Sequence, residues 1–180
     1  MRQDARENRD RILAAAEAVF GDLGAAGSTE EVARLAGVGI ATVFRHFPTK
    51  DALVSAALVR HFEHLLTRAD ALAAHPDQTT AWSILLREMI ETGATKLTLL
   101  PDDANLRDPV LAVSGRLKTA VSAVLRRAQE AGAVRARVTV EEVYLLIRAL
   151  SQATATMRPD PPVLDNAIKV IIAGLATAKD

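Results

Sequence analysis

The feature that most constrains the fold is a regular series of helix signals. Segments with apolar residues every three or four positions alternate along the chain with Gly and Pro, which end helices. Ala and Leu are abundant, whereas aromatic residues make up only 3% of the 180 residues. Local propensity therefore favours helix over sheet, and the sequence predicts an all-α protein.

The individual helices can be placed from their end signals. Ser28 is a candidate N-cap, Glu31 can complete a capping box with it, and Thr49 is a candidate cap for a long fourth helix. The third helix is expected to end before Pro48, because proline disfavours helical geometry in the residue before it. The predicted helices cover about 12–23, 28–37, 40–46, 49–74, 79–99, 109–131, 140–157 and 161–178.

Composition excludes several classes of protein. The chain has no cysteine, which rules out disulfides, cysteine-based zinc sites and thiol nucleophiles. Its charged N-terminus leads into no apolar signal core, and no apolar stretch reaches the roughly 18 residues of a membrane span. We therefore expect a cytoplasmic protein. The net charge is zero, so any nucleic-acid binding must be local.

Residues 28–47 have the sequence form of a helix-turn-helix, two short helices joined by "AGVG". Ala33 is small where the helices would cross, Gly37 can adopt the positive φ of a tight turn, and Val43 with Phe47 would face the core. The side chains then directed outward are Thr42, Arg45 and His46. An ordinary helical hairpin would explain this spacing alone equally well.

Residues 11–53 resemble the N-terminal DNA-binding domain of the TetR family of bacterial transcriptional regulators. The resemblance is carried by "RILAAAEAVFGDLG", "STEEVARLAGVG" and "TVFRHFPTKDAL". It implies a three-helix DNA-binding domain over residues 1–53 and an all-helical ligand-binding and dimerisation domain over residues 54–180. It also implies a homodimer that binds a palindromic or pseudo-palindromic operator as a repressor and releases it when an unknown small molecule binds.

The resemblance places Thr42 at the family's recognition-helix threonine and Lys50 at its lysine opening helix four. Lys50 would anchor a phosphate at a helix N-terminus, Arg45 has forked donors suited to guanine or phosphate, and Ile40 could meet a thymine methyl group. The predicted DNA-binding residues are Ser28, Thr29, Gly39, Ile40, Ala41, Thr42, Phe44, Arg45, His46 and Lys50.

Three positions depart from the family pattern. Phe44 replaces the usual tyrosine and lacks the hydroxyl that could bind phosphate. Gly39 stands where a serine often caps the recognition helix, and Ala41 stands where glycine is common.

At the N-terminus, basic residues alternate with acidic ones, which favours a solvated helix start over a mobile DNA-binding arm. The basic residues of this segment are Arg2, Arg6, Arg9 and Arg11.

The last two predicted helices carry apolar residues around more than one face, which favours a homodimer interface over a monomeric core. An effector pocket is expected among apolar neighbours and would suit a hydrophobic or amphipathic molecule, although Arg107 or Arg148 could hold a carboxylate. The predicted ligand-binding residues are Trp82, Met89, Thr92, Arg107, Tyr144, Arg148 and Gln152.

An enzyme and a structural or adaptor protein are the two alternative classes. His61 and His64 share a helix face, but no third metal ligand is evident, and no catalytic triad, P-loop or dinucleotide fingerprint occurs. We predict no enzyme activity, no metal and no cofactor. The alternative function is a helical homodimeric adaptor or structural protein without operator binding, which leaves the basic face of helix three unexplained.

Overall fold

The computed structural model describes residues 2–23, 26–93 and 108–177. Eight α-helices lie in this part of the chain, so the predicted all-α class is confirmed. No helix within it is long and apolar enough to cross a membrane. The helices are α1 Arg2–Leu23, α2 Thr29–Ala36, α3 Ile40–His46, α4 Lys50–Ala73, α5 Gln78–Glu91, α6 Asp108–Glu130, α7 Val140–Met157 and α8 Pro161–Leu175.

These residues divide into two compact units. The first contains residues 2–62 and 108–112, and the second contains residues 63–93 and 113–177. The division therefore lies inside α4, after Phe62, and again inside α6, after Ala112. The domain boundary that the sequence places after Leu53 stays a prediction.

The first unit is built around a core shared by α1, α2 and α3, which all contact one another. Arg60 of α4 secures α1, because its guanidinium donates to the Asp10 carbonyl at 2.8 Å and pairs with Glu17 at 3.4 Å. The largest fully buried side chains here include Ile12, Phe20, Val32, Val43, Leu53 and Phe62. Burial of these apolar groups is the main force that holds α1, α2 and α3 together.

In the second unit, α5 packs against both α7 and α8. Its fully buried side chains include Leu85, Leu86, Ile90, Val121 and Ile168. The helix predicted to continue to Leu99 instead ends at Glu91. Thr92 is its C-cap, and Gly93 comes so close to Ser151 of α7 that any Cβ at Gly93 would overlap the serine side chain. The absence of a side chain at Gly93 is what allows this close approach to α7.

The connection between α6 and α7 holds the end of α8. Val134 forms an isolated antiparallel bridge with Ala176, and the Arg135 amide donates to the Leu175 carbonyl at 3.0 Å. Gln129 donates from its side-chain amide to three carbonyls of the same connection, which ties this segment to the end of α6.

Helix α7 has well-defined ends. A capping box joins Thr139 and Glu142 at its start: the Glu142 amide donates to the Thr139 hydroxyl, and the Thr139 amide donates to the Glu142 carboxylate. At its C-terminus Arg158 takes a left-handed conformation with φ 45°. Arg158 is the one non-glycine residue with positive φ in the described part of the chain, and Pro159 follows it.

Candidate nucleic-acid interface

The turn between α2 and α3 has the geometry that the sequence predicts. Ser28 accepts from the Glu31 amide at 3.1 Å, and the Ser28 amide donates to the Glu31 carboxylate at 2.9 Å, which confirms the capping box. Gly37 ends α2 with φ 66°, a left-handed conformation that favours glycine. The Val38 amide then donates to the Ala33 carbonyl at 3.0 Å. The two helices are therefore joined by a short turn whose backbone groups are paired.

The capping box also sets the charge at the start of α2. Hydrogen bonds from the Ser28 amide and hydroxyl stabilise the carboxylate of Glu31 and hold its pKa below the ordinary value, with a smaller effect from Arg34. The carboxylate is negative at neutral pH and lies next to the positive end of the helix dipole.

Helix α3 presents two distinct faces. Val43 and Phe47 are 0% and 4% exposed, so they anchor the helix to the core of the first unit. Arg45, two positions from each, is exposed on the opposite side. Its guanidinium donates to the Thr42 hydroxyl at 3.2 Å, which orients both side chains on the outer surface.

Two apolar side chains share that surface. Ile40 is 37% exposed and Phe44 is 43% exposed, and they lie one helical turn apart. Gly39 and Ala41 are exposed beside them, and Gly39 caps α3 without a side-chain hydrogen bond, as expected for a residue that lacks a side-chain acceptor.

Lys50 and Arg9 add positive charge next to α3. The Lys50 ammonium at the start of α4 lies 5.5 Å from the centroid of the Phe20 ring, and the Arg9 guanidinium lies 5.3 Å from the centroid of the Phe47 ring. Both distances fall within the range of cation–π contacts. Phe47 directly follows His46, so Arg9 is positioned at the C-terminal end of α3.

By residue type alone, Arg9 is not distinguishable from the neighbouring Arg6 and Arg11. Arg9 and Phe47 are far apart in the chain, and only the packing of α1 against α3 brings them together. Residues 2–11 belong to the regular helix α1, which agrees with the favoured expectation of a helical start. A basic residue spaced in register with the buried Ile12, Leu13 and Ala16 would have been the available sequence signal.

The other predicted DNA-binding residues are less exposed. His46 and Ser28 are half-buried, and Ser28 uses its hydroxyl in the capping box. Thr29 is buried and donates its hydroxyl to Glu30 at 3.2 Å. Contacts from these three side chains to DNA stay predictions.

The predicted ligand-binding residues of the second unit differ in how exposed they are. Trp82 and Met89 are buried on α5, whereas Arg148 and Gln152 are exposed on α7. The Thr92 hydroxyl donates to the Glu88 carbonyl, burial raises the pKa of Tyr144 to about 12, and Arg107 lies outside the described residues. The ligand-binding set stays a prediction.

A shallow groove of about 410 Å³ runs between α5 and α8. None of the predicted ligand residues lines it; its walls are formed by Ser83, Ile84, Arg87, Lys169, Ile172, Ala173 and Ala176. Arg87 and Lys169 both pair with Asp165, at 2.8 and 2.7 Å, and these contacts hold the pKa of Asp165 below its ordinary value. Across the described ranges, no cluster of three or more His, Asp or Glu side chains could hold a metal ion.

A short helix anchored by one face, with hydrogen-bonding and apolar groups on the other and cations at its edges, defines a helix-turn-helix DNA-binding protein. Comparison with protein families narrows the class. Residues 12–57 match the family of bacterial regulatory proteins called tetR, and residues 75–177 match the C-terminal domain of SbtR-like transcriptional regulators. The chain belongs to the TetR family and is a DNA-binding transcriptional regulator. This is a non-enzymatic class, as predicted, and it favours the regulator over the adaptor.

Solved structures support the same assignment. A TetR regulatory protein from Mycobacterium vanbaalenii is 30% identical, with a TM-score of 0.77 over 98% of this chain and 99% of that one. A TetR regulator from Streptomyces coelicolor is 25% identical, with a TM-score of 0.75 over 95% and 99%. FadR from Bacillus subtilis, in complex with stearoyl-CoA, is 14% identical over 92% and 98% with a TM-score of 0.66, and shares the fold. No curated protein matches the chain.

Proposed function

We propose that the protein is a repressor that binds operator DNA as a homodimer and leaves it when a small molecule binds to the second unit. The observation that carries the proposal is the outer surface of α3, where Arg45 and Thr42 are hydrogen-bonded to each other and Ile40 and Phe44 are exposed. Side chains of this kind read base edges when a recognition helix lies in the major groove.

Phosphate contacts would position this surface without reading sequence. Lys50 begins α4, and Arg9 of α1 lies beside the C-terminal end of α3. Both are suited to that role, because each is a cation held against a buried aromatic ring. A guanidinium carries five N–H donors, so one that contacts a ring can still donate to phosphate oxygens. Arg9 thus joins the residues proposed from the sequence.

Gel shifts on the DNA that flanks the coding region test operator binding. Thr42→Ala and Arg45→Ala should weaken binding to the operator more than binding to random duplexes. Lys50→Ala and Arg9→Ala should weaken binding to all duplexes and lower the slope of log K against log salt by about 1 each. Arg126→Ala is the matched control, since Arg126 is exposed on α6 and pairs with Glu130. A wild-type protein that protects no sequence at low salt would refute operator binding.

The proposed dimer interface lies on α7 and α8. Leu145 is 68% exposed, Val163 is 59% exposed and Val170 is 63% exposed, which is a high exposure for large apolar side chains. Within the described part of the chain, no atom outside the adjoining backbone of α8 lies within 4 Å of where a Cβ of Gly174 would be, so a partner helix could approach α8 closely there. These features suit a four-helix interface between two copies.

Analytical ultracentrifugation tests the dimer. Val170→Glu should convert the dimer to a monomer, because the interface would bury an unpaired charge. Leu111→Glu is the control, since Leu111 is also a large apolar residue and is 51% exposed, but lies on α6. Two recognition helices of a dimer should contact half-sites about 34–36 Å apart or a multiple of that. A wild-type monomer at micromolar concentration would refute this part.

The effector is proposed to be a small molecule with an apolar body. The buried side chains Trp82 and Met89 support an apolar contact surface on α5, and exposed Arg148 would be available to a carboxylate. Neutral and acidic apolar molecules can be titrated into the DNA complex while DNA release and the thermal midpoint are followed. An effector should lose potency with Trp82→Phe and keep it with Arg126→Ala. If every molecule that stabilises the protein leaves DNA binding unchanged, ligand-controlled release is wrong.

A further inference from the structure

Apolar and polar side chains lie on opposite sides of the exposed surface of α3. Val43 and Phe47 point into the core, which puts Arg45 at the centre of the exposed side. With 3.6 residues per turn, Ile40 and Phe44 fall on one side of Arg45, and we name this pair the apolar flank. Its two side chains are 37% and 43% exposed.

The other side of Arg45 carries Thr42 and His46, the polar flank. The Arg45 guanidinium leans toward it, since it donates to the Thr42 hydroxyl at 3.2 Å. The hydrogen-bonding groups of α3 are therefore gathered on one side of the helix, and the apolar flank contains no side-chain donor or acceptor.

An apolar side chain in the major groove has one well-defined chemical target. Thymine carries a methyl group at C5 that projects into the groove, whereas cytosine has only hydrogen at that position. Phosphate is a poor partner for the apolar flank, because neither Ile40 nor Phe44 can donate a hydrogen bond. Burying an exposed ring against a methyl group is favourable, since both surfaces leave water.

We propose that Ile40 and Phe44 select thymines through their C5 methyl groups, so that each operator half-site requires two thymines read by the apolar flank. The two side chains start about 6 Å apart along the helix axis, which is close to two base-pair steps of about 3.4 Å. The two thymines should therefore lie within about two steps of each other. This inference rests on the proposed operator binding and adds the base chemistry that the operator must contain.

The test uses the full-length protein and duplexes selected by it from a random pool. The best-bound duplex is resynthesised with deoxyuridine in place of one thymidine at a time, which removes only the C5 methyl group. At two thymines per half-site, the wild type should bind about fourfold more weakly, the loss expected for one buried methyl-sized group. Deoxyuridine elsewhere should have no effect.

Variants connect each methyl group to a side chain. Phe44→Ala should bind the thymine duplex more weakly and lose its sensitivity to deoxyuridine at one of the two positions, and Ile40→Ala should do the same at the other. Phe44→Leu keeps an apolar contact and should restore most of the sensitivity. Arg45→Ala should weaken binding but leave both deoxyuridine effects intact. Phe44 is exposed, and circular dichroism melting checks that each variant is folded.

Different results would contradict methyl reading and operator binding. If a duplex is selected but tolerates deoxyuridine at every thymine, methyl reading is wrong while operator binding stands. An undiminished deoxyuridine effect in both Phe44→Ala and Ile40→Ala would also overturn it, because other side chains would then read the methyl groups. If the pool yields no preferred duplex, the proposed function fails and methyl reading fails with it.

Discussion

Helices α2 and α7 begin in the same way and end differently. Each starts with a capping box, Ser28 with Glu31 in one unit and Thr139 with Glu142 in the other. Each ends at a residue in the left-handed conformation, but that residue is Gly37 after α2 and Arg158 after α7. The same backbone solution is therefore reached with a favourable residue in one place and an unfavourable one in the other.

The two helix ends therefore differ in backbone strain. A residue other than glycine pays about 1–2 kcal/mol for left-handed geometry, and Pro159 restricts Arg158 further. The turn of the helix-turn-helix carries no such strain. The strained residue lies between two helices that each pack against α5.

The largest effect is expected at Gly37. Gly37→Ala should lower the free energy of unfolding by about 1–2 kcal/mol, because alanine disfavours φ 66°. The added Cβ would meet only Arg11 at 3.8 Å, so the cost is conformational rather than steric. Gly115→Ala, inside α6 with open space around it, should instead stabilise the protein by about 0.5–1 kcal/mol. Urea denaturation measures both, and equal signs would contradict the prediction.

The two capping boxes should respond alike. Ser28→Ala and Thr139→Ala should each destabilise the protein by about 1 kcal/mol, because each leaves helix N-terminal amides without an acceptor. Chemical denaturation of the pair tests this equivalence. DNA affinity separates them further, since a loss confined to Ser28→Ala would support the predicted contact of Ser28 with phosphate.

A smaller change of opposite sign is expected at the end of α7. Arg158→Gly should stabilise the protein by about 0.5–1 kcal/mol, because relief of the left-handed strain exceeds the added flexibility of glycine in the unfolded chain. The midpoint of thermal unfolding should rise. Arg137→Gly, at an exposed position in the connection before α7, is the comparison and should bring no gain. A fall in the midpoint for Arg158→Gly would mean that the arginine side chain contributes more than its backbone costs.

The smallest effect is the acid limb of the stability curve. Hydrogen bonds from Ser28 and Thr139 lower the pKa of Glu31 and Glu142 below 4.5, so the folded state binds fewer protons than the unfolded state. Their contribution is complete above pH 4.5 and is lost as the pH falls through the lowered values. Glu31→Gln and Glu142→Gln should each flatten that limb relative to the wild type. Parallel acid limbs in all variants would disprove the assignment.

Local features of this chain were accessible from sequence. The Ser28 capping box, the positive φ of Gly37 and the inward direction of Val43 and Phe47 depend on residues within one or two turns. Interactions over such spacings follow from helix geometry, so a pattern in the sequence predicts them. The bounds of α3 and its buried face therefore follow from the sequence pattern.

Features that depend on tertiary packing were not accessible. The contact of Arg9 with the Phe47 ring requires α1 to pack against α3, and the close approach of Gly93 to Ser151 requires the end of α5 to pack against α7. The exposure of Arg148 and Gln152 likewise depends on which side of α7 faces its neighbours. No local spacing encodes these arrangements, because each joins segments separated by many residues.

The aromatic residues divide cleanly along the chain. All four phenylalanines lie at or before Phe62, whereas the single tryptophan, Trp82, and the single tyrosine, Tyr144, belong to the second unit. Long-wavelength fluorescence excitation therefore observes the second unit alone. DNA added to the protein would leave Trp82 emission unchanged unless the binding event alters a buried indole in the second unit, so the native chain carries its own optical reporter of communication between the two units.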